Sequence, residues 1–331
     1  MPNPYISGTG FYLPPRIVTN DELSSYMDTT DEWIQERTGI KERRYVEKGV
    51  GPSDLAIPAT EQALKAAGLT VSDIDFIIFA TSTPDFYAPG SGCVLQEKMG
   101  FNEIGALDIR VQCSGFIYGL SIAEQYIRTG NFKNILLIGA EVQSTAMNLT
   151  DEGRDTAIIF GDGSGAAIIS ATEENKGILS THMHSEGKYL KELWLEAPAS
   201  NAGHPRINRE VLDEGKQYLK MNGKEVFRHA ITRFPEVINE ALEANNLTSE
   251  NINLLIPHQA NLRITQMVQK RLGLNNDQVF SNIHKYGNTT AATIPIALAE
   301  AFNEGRIKEG DILVLAAFGA GFTWASAIMK W

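Results

Sequence analysis

Cysteine pairs, an excess of basic residues and a basic-then-apolar leader are all lacking in this sequence. Two cysteines in 331 residues, Cys93 and Cys113, are too few for a disulfide framework. Lys and Arg number 29 against 40 Asp and Glu, a formal charge of −11. That balance argues against nucleic acid or an anionic membrane as the main partner, since both demand basic surface. The start, MPNPYISGTGFYLPP, has no basic segment followed by an apolar one, so no signal peptide is expected and the setting reads as reducing and cytoplasmic. One long uncharged stretch exists, 312 to 329, but FGAG at 318 to 321 divides it into two strand-length runs. His182 and His184 alternate with no cysteine or carboxylate cluster nearby in sequence, so no metal site is expected. Low-complexity tracts are absent too.

What is present is a duplication. ALKAAGLTVSDIDFII (63 to 78) aligns without gaps to ALEANNLTSENINLLI (241 to 256) at an offset of 178. Farther on, Cys113 lies 17 residues before Gly130 and Asn288 lies 17 before Gly305, which makes those two residues repeat equivalents on spacing. His258 falls where the first copy has Ala80. Short apolar runs at 76–80, 135–140, 156–160, 254–256 and 312–317 read as strands covered on both faces. Helical patterns between them predict a largely parallel sheet, with an antiparallel hairpin closing each half.

The segments after Cys113 (SGFIYGLSIAEQYI) and after Asn288 (TTAATIPIALAEAF) have almost no polar face, so both helices must be buried all round. Two such helices between two sheets, with further helices outside, predict an α/β five-layer α-β-α-β-α sandwich. The halves divide as 1–172 and 173–331, and the least repeated part, 186–220, reads as an excursion over the site.

Cys113 at the first turn of a buried helix feels the positive helix end, which favours thiolate; buried cysteine also serves as a small apolar filler. His258 follows a buried strand, and Asn288 suits a helix N-cap as well as a site. Thr29 and Glu32 have capping-box spacing before Gly39, and put Trp33 and Arg37 on one helix face. Arg263, Lys270 and Arg271 share a face of the helix after His258.

The ordered set VQCSGFIYGL, FGDG, PHQANLRI, YGNTTAATIP and FGAGFTW resembles β-ketoacyl-acyl-carrier-protein synthase III, the thiolase-fold condensing enzymes that start fatty-acid synthesis, over nearly the whole chain except about 186 to 220. The resemblance implies a homodimer and a ping-pong Claisen condensation between acyl-CoA and malonyl-acyl carrier protein, with CoA thioester as substrate and no cofactor. It implies Cys113, His258 and Asn288 as a triad, with the backbone N–H groups of Cys113 and Ala320 as an oxyanion hole. Thr29, Trp33, Arg37, Arg154 and Asn261 match CoA contacts. Gln259, Arg263, Lys270 and Arg271 match a carrier-protein dock. Ala88 and Phe318 match the acyl pocket, and Ala88 stands where acetyl-preferring members carry phenylalanine, so primers longer than acetyl are expected. Ala320 replaces a family glycine, tolerable if its φ is negative. A related condensing enzyme of secondary metabolism, a cysteine hydrolase and an inactive carrier-binding subunit are the competing readings.

Overall fold

Alternation along the buried strands builds the molecule from the inside. The computed structural model describes residues 1–331, the side chain of residue 202 excepted. Nine strands form two sheets: β1 Asn3–Tyr12, β2 Phe76–Ala80, β3 Gly105–Ile109, β4 Asn134–Glu141, β5 Gly163–Thr172, β6 Gly177–Ser185, β7 Leu254–Pro257, β8 Ile312–Gly319 and β9 Thr323–Lys330. The first sheet has the order β1-β5-β4-β2-β3, and the second β7-β8-β9-β6. Superposed as copies, β8, β7, β9 and β6 take the places of β4, β2, β5 and β1. The last strand of the first sheet stops at Thr172 and the first strand of the second starts at Gly177.

Two central helices, α3 Gly115–Arg128 and α6 Thr293–Asn303, lie between the sheets. In β4, Ile135 and Leu137 face them together with Phe116, Leu120, Ile294 and Leu298, whereas Leu136 and Ile138 face outward to α2 Pro52–Ala67. In β8, Leu313 and Leu315 face the same central layer, and Val314 and Ala316 face α4 Gly223–Ala244 and α5 Leu262–Leu272. A period-2 strand with apolar residues on both faces demands cover on both sides, and five layers follow. Each fully buried Leu or Ile contributes about 1.5–3 kcal/mol relative to exposure. The rare acids of the central layer are partnered: Glu124 accepts from Arg128 Nε at 2.9 Å, and Glu300 from Asn282 Nδ2 at 2.7 Å. Among the described residues no helix is long and apolar enough to cross a membrane, and the stretch 312 to 329 is the β8–β9 pair.

The structure corrects three expectations. Both sheets are mixed: β2 pairs in parallel with β3 and β4, and β7 with β8, while the remaining pairs are antiparallel. Residues 156–160 are no strand; Arg154–Ala157 is a helical turn, and Phe160 makes only an isolated bridge to Asn288. The antiparallel pair that ends the first half, β4 with β5, is therefore joined by a long connection instead of a tight reversal. Separately, α4 brings one carboxylate to the histidine run from far along the chain, Glu240 bonding His184 Nε2 at 2.6 Å and His182 Nδ1 at 3.3 Å.

Candidate active site

Both central helices begin with the same strained turn. A 3-10 turn, Gln112–Ser114, leads into α3, and Thr290–Ala292 leads into α6. The first residue of each has positive φ, +45° at Gln112 and +51° at Thr290, although neither is glycine. Those positions are 178 apart, as are the strands that follow, β4 and β8. The backbone counterpart of Cys113 is therefore Ala291, not Asn288. Spacing to the glycines misleads because α6 has 11 residues and α3 has 14, the loop after α6 making up the difference. Nor is Asn288 an N-cap. It sits before the turn, its N–H donating to Ile159 O at 2.9 Å and its carbonyl accepting from Gly161 N–H at 3.0 Å.

Cys113, His258 and Asn288 nevertheless line one cleft of about 590 Å³, together with Trp33, Arg37 and Arg263. The three are at most 5% exposed, whereas Arg37 and Arg263 are exposed, so the cleft leads from the surface to the thiol. Burial pushes the Cys113 thiol up to about 12, helped by the negative charge of Glu141. The backbone N–H groups of Ala320 and Cys113 itself point at the sulphur and pull the other way, but desolvation wins. The expected thiolate is replaced by a neutral thiol facing two fixed N–H donors. Ala320 is not among the residues with positive φ; Gly321 takes that conformation, at +136°.

His258 follows β7, its N–H held by Ala316 O at 2.7 Å. Burial pushes the imidazole down to about 3, so the ring is neutral. Nδ1 lies 2.6 Å from Thr293 Oγ1, and Nε2 is buried without a partner among the described residues. Asn288 Oδ1 accepts from Thr290 N–H at 2.8 Å, which orients the amide and leaves Nδ2 as its free end. Glu141 was not flagged by sequence. This fully buried carboxyl, raised to about 7 by desolvation, accepts from Ser82 Oγ at 2.9 Å, Thr83 Oγ1 at 2.7 Å and the Ala291 N–H. It thereby ties the loop after β2 to the turn that starts the second central helix.

At the rim, α1 Asp31–Thr38 is capped by Thr30, whose Oγ1 accepts from Trp33 N–H at 3.1 Å; Gly39 ends it in the left-handed conformation. The cap is not Thr29, whose hydroxyl is buried and unpartnered among the described residues. The guanidinium groups of Arg37 and Arg154 lie 4.4 and 4.8 Å from the centre of the Trp33 ring. Asn261 caps α5 and donates to Arg37 O at 2.9 Å, joining the two rim helices. Arg263, Lys270 and Arg271 are exposed on α5, with Arg271 also donating to Ile231 O at 2.5 Å.

Gln259 does not belong with them. It is 1% exposed; its Nε2 donates to Pro257 O at 2.6 Å and its Oε1 accepts from Ser281 Oγ at 2.8 Å. Phe318 lines the cleft beside Gly319. Ala88 is exposed and does not line the cleft of its own chain. The excursion contributes a short ribbon, Leu193–Trp194 with Lys220–Met221, whose Leu193 and Met221 reach the cleft wall.

Residues 107–187 match the family model described as 3-oxoacyl-[acyl-carrier-protein (ACP)] synthase III, and residues 242–331 match its C-terminal counterpart. The chain is 47% identical over 326 residues to a β-ketoacyl-[acyl-carrier-protein] synthase III of Caldanaerobacter subterraneus subsp. tengcongensis, covering 98% of this chain and 97% of that one. Among solved structures, it resembles 3-oxoacyl-[acyl-carrier-protein] synthase III from Aquifex aeolicus VF5 with a TM-score of 0.90 and 40% identity, covering 99% and 100% of the two chains. The priming β-ketosynthase from the R1128 polyketide biosynthetic pathway is similar at a TM-score of 0.91 and 29% identity, covering 99% and 96%.

Proposed function

The chain belongs to the 3-oxoacyl-[acyl-carrier-protein] synthase III family of condensing acyltransferases, which carry out the initiating condensation of fatty-acid synthesis, and we propose that it works through an acyl-Cys113 intermediate with a primer longer than acetyl. The observation that carries this reading is one cleft lined by a neutral thiol, a neutral imidazole and a carboxamide, with Trp33 and Arg37 lining it too.

In the first half-reaction the Cys113 sulphur attacks the acyl-CoA carbonyl. A bond forms from sulphur to carbonyl carbon, the bond to the CoA sulphur breaks, and the thiol proton leaves with CoA. A thiol raised to about 12 stays protonated until this transfer, so ionisation and attack are coupled. The tetrahedral oxyanion is held by the N–H groups of Cys113 and Ala320. Removing one such donor typically costs about 10²- to 10³-fold in rate.

In the second half-reaction malonyl-acyl carrier protein enters. Its carboxylate departs as CO₂, and the released electron pair forms an enolate on the thioester. His258 Nε2–H and Asn288 Nδ2–H donate to that oxygen. The carbanion attacks the acyl-Cys113 carbonyl, the bond to the Cys113 sulphur breaks, the sulphur takes up one proton from solvent water, and a 3-oxoacyl thioester remains on the carrier. A neutral histidine suits a hydrogen-bond donor that does not give up its proton.

Trp33, Arg37 and Arg154 would hold the CoA nucleotide by stacking and charge, with Thr29 and Asn261 beside them. Arg263, Lys270 and Arg271 would dock the acidic carrier protein. In a homodimer the loop bearing Ala88 would reach the partner's pocket, where a methyl in place of a phenyl ring leaves room for a longer primer. The reaction needs no cofactor, and a reducing cytoplasm keeps the thiol free. The likeness to the R1128 priming β-ketosynthase supports a second reading, in which the same chemistry primes a polyketide.

Intact-mass analysis after exposure to a panel of acyl-CoAs, followed by malonyl-acyl carrier protein or malonyl-CoA, tests all of this. The expected result is one acyl adduct, absent in Cys113→Ala, converted to a 3-oxoacyl carrier protein. An adduct elsewhere, or its hydrolysis without carbon–carbon bond formation, refutes the reading.

A further inference from the structure

Thr293, in the first turn of α6, holds its hydroxyl 2.6 Å from His258 Nδ1 and 3.0 Å from the carbonyl oxygen of Thr290. Thr290, Thr293 and His258 are 2–3% exposed, so bulk water does not arbitrate between these contacts. The hydroxyl has one hydrogen to give, and a neutral imidazole carries one ring proton. If the hydroxyl donates to Thr290, the ring must donate from Nδ1, and Nε2 is left as a bare lone pair. If it donates to Nδ1, the ring proton sits on Nε2.

The shorter of the two contacts, 2.6 Å to Nδ1 against 3.0 Å to the Thr290 carbonyl, favours the second arrangement. The Thr290 carbonyl already accepts the Thr293 backbone N–H, so it is satisfied without the hydroxyl. In the second arrangement the ring proton sits on His258 Nε2, which is buried and unpartnered among the described residues on a ring that shares the cleft wall with Cys113 and Asn288, free for an acceptor that enters the cleft.

We infer that Thr293 is a positioning residue that fixes His258 in the Nε2–H tautomer by donating its hydroxyl hydrogen to Nδ1. The inference rests on the decarboxylating half-reaction proposed above, where Nε2 must present hydrogen to a developing oxyanion. The other tautomer would turn a lone pair toward that negative charge and oppose it. Thr293 never touches substrate; it selects which of two otherwise similar rings the substrate meets.

The test reads the ring directly. Protein labelled with ¹⁵N-histidine is observed by long-range ¹H–¹⁵N correlation, and the His258 signal is identified among the six histidines by its loss in His258→Gln. Wild type should show a protonated Nε2 and an unprotonated Nδ1. Thr293→Val, which keeps the shape and removes the hydroxyl, should shift the ring toward Nδ1–H. It should also slow condensation about 10²-fold, the cost typical of one lost oxyanion donor, with little change in KM for malonyl-acyl carrier protein. Thr293→Ser should restore both tautomer and rate. A wild-type ring protonated on Nδ1 overturns the inference, as does Thr293→Val with Nε2–H retained and condensation unaltered. The tautomer is read without substrate. A wild-type ring protonated on Nε2 in a protein that forms no 3-oxoacyl product would therefore refute the proposed reaction while upholding the role of Thr293.

Discussion

A methyl group added to Gly319 would lie 2.7 Å from the sulphur of Cys113 and 2.5 Å from its Cβ. The end of β8 thus closes directly over the Cys113 thiol, and only a residue without a side chain allows it. Gly319→Ala should give a folded protein whose thiol is displaced. Displacement of about 1 Å costs on the order of 10²-fold in rate, read as the time course of Cys113 acylation by intact mass. Wild-type acylation would show that the turn absorbs the methyl elsewhere.

Acid should destabilise the protein partly through His258. Its folded value, about 3, lies below the 6.5 of an exposed ring, so the unfolded chain binds more protons between those limits. The contribution is fully present above pH 6.5 and is lost as pH falls toward 3. Replacing the ring in His258→Gln should remove up to about 1.4 kcal/mol per pH unit of that slope. Urea unfolding of both proteins at pH 7, 6 and 5 measures the difference, and parallel pH dependences would contradict a buried neutral ring.

Charge reversal at Arg263 should raise the KM for malonyl-acyl carrier protein about tenfold and that for acyl-CoA far less. The difference should shrink as salt screens the exposed face of α5. Steady-state kinetics at two ionic strengths decide it. Equal effects on both substrates would assign Arg263 to the CoA side of the cleft instead.

Ala88→Phe should favour short primers. A phenyl ring filling the pocket wall ought to lower octanoyl-CoA turnover at least about tenfold relative to acetyl-CoA, since overpacking a filled site costs about 1–3 kcal/mol. Strong acetyl preference in the unmodified protein would refute the widened pocket outright. Ala88 is exposed and lies off its own chain's cleft, so under the proposed homodimer the effect is expected in the pocket of a second copy.

The layered fold was legible because long apolar runs state their own burial. A strand such as 312–319, apolar on both faces, admits few environments, and the 178-residue offset carried the prediction from one half to the other. His258 was placed correctly by that offset. Asn288 was paired with Cys113 through the wrong offset, since a three-residue shortening inside α6 leaves no mark on the apolar pattern. Residues 156–160 are β-branched and apolar but sit between Gly153 and Gly161, where the chain turns and local preference yields to tertiary contacts. Gln259 is next to His258 in sequence and polar, and nothing local says that Pro257 and Ser281 consume its amide. Glu141 and Thr293 were invisible for the same reason. A lone acid ending a strand and a lone threonine in a helix acquire meaning only from partners brought by the fold.

The twin turns at Gln112 and Thr290 have a historical implication. An unusual backbone shape kept at matching places in both lobes, though cysteine occupies only one of them, belongs to the ancestor that was doubled. Ala291 is then the mirror position of Cys113 in the second lobe, and the two lobes differ in which of these matching places carries a thiol. One lobe carries Cys113, and the other brings His258 and Asn288 to the same cleft.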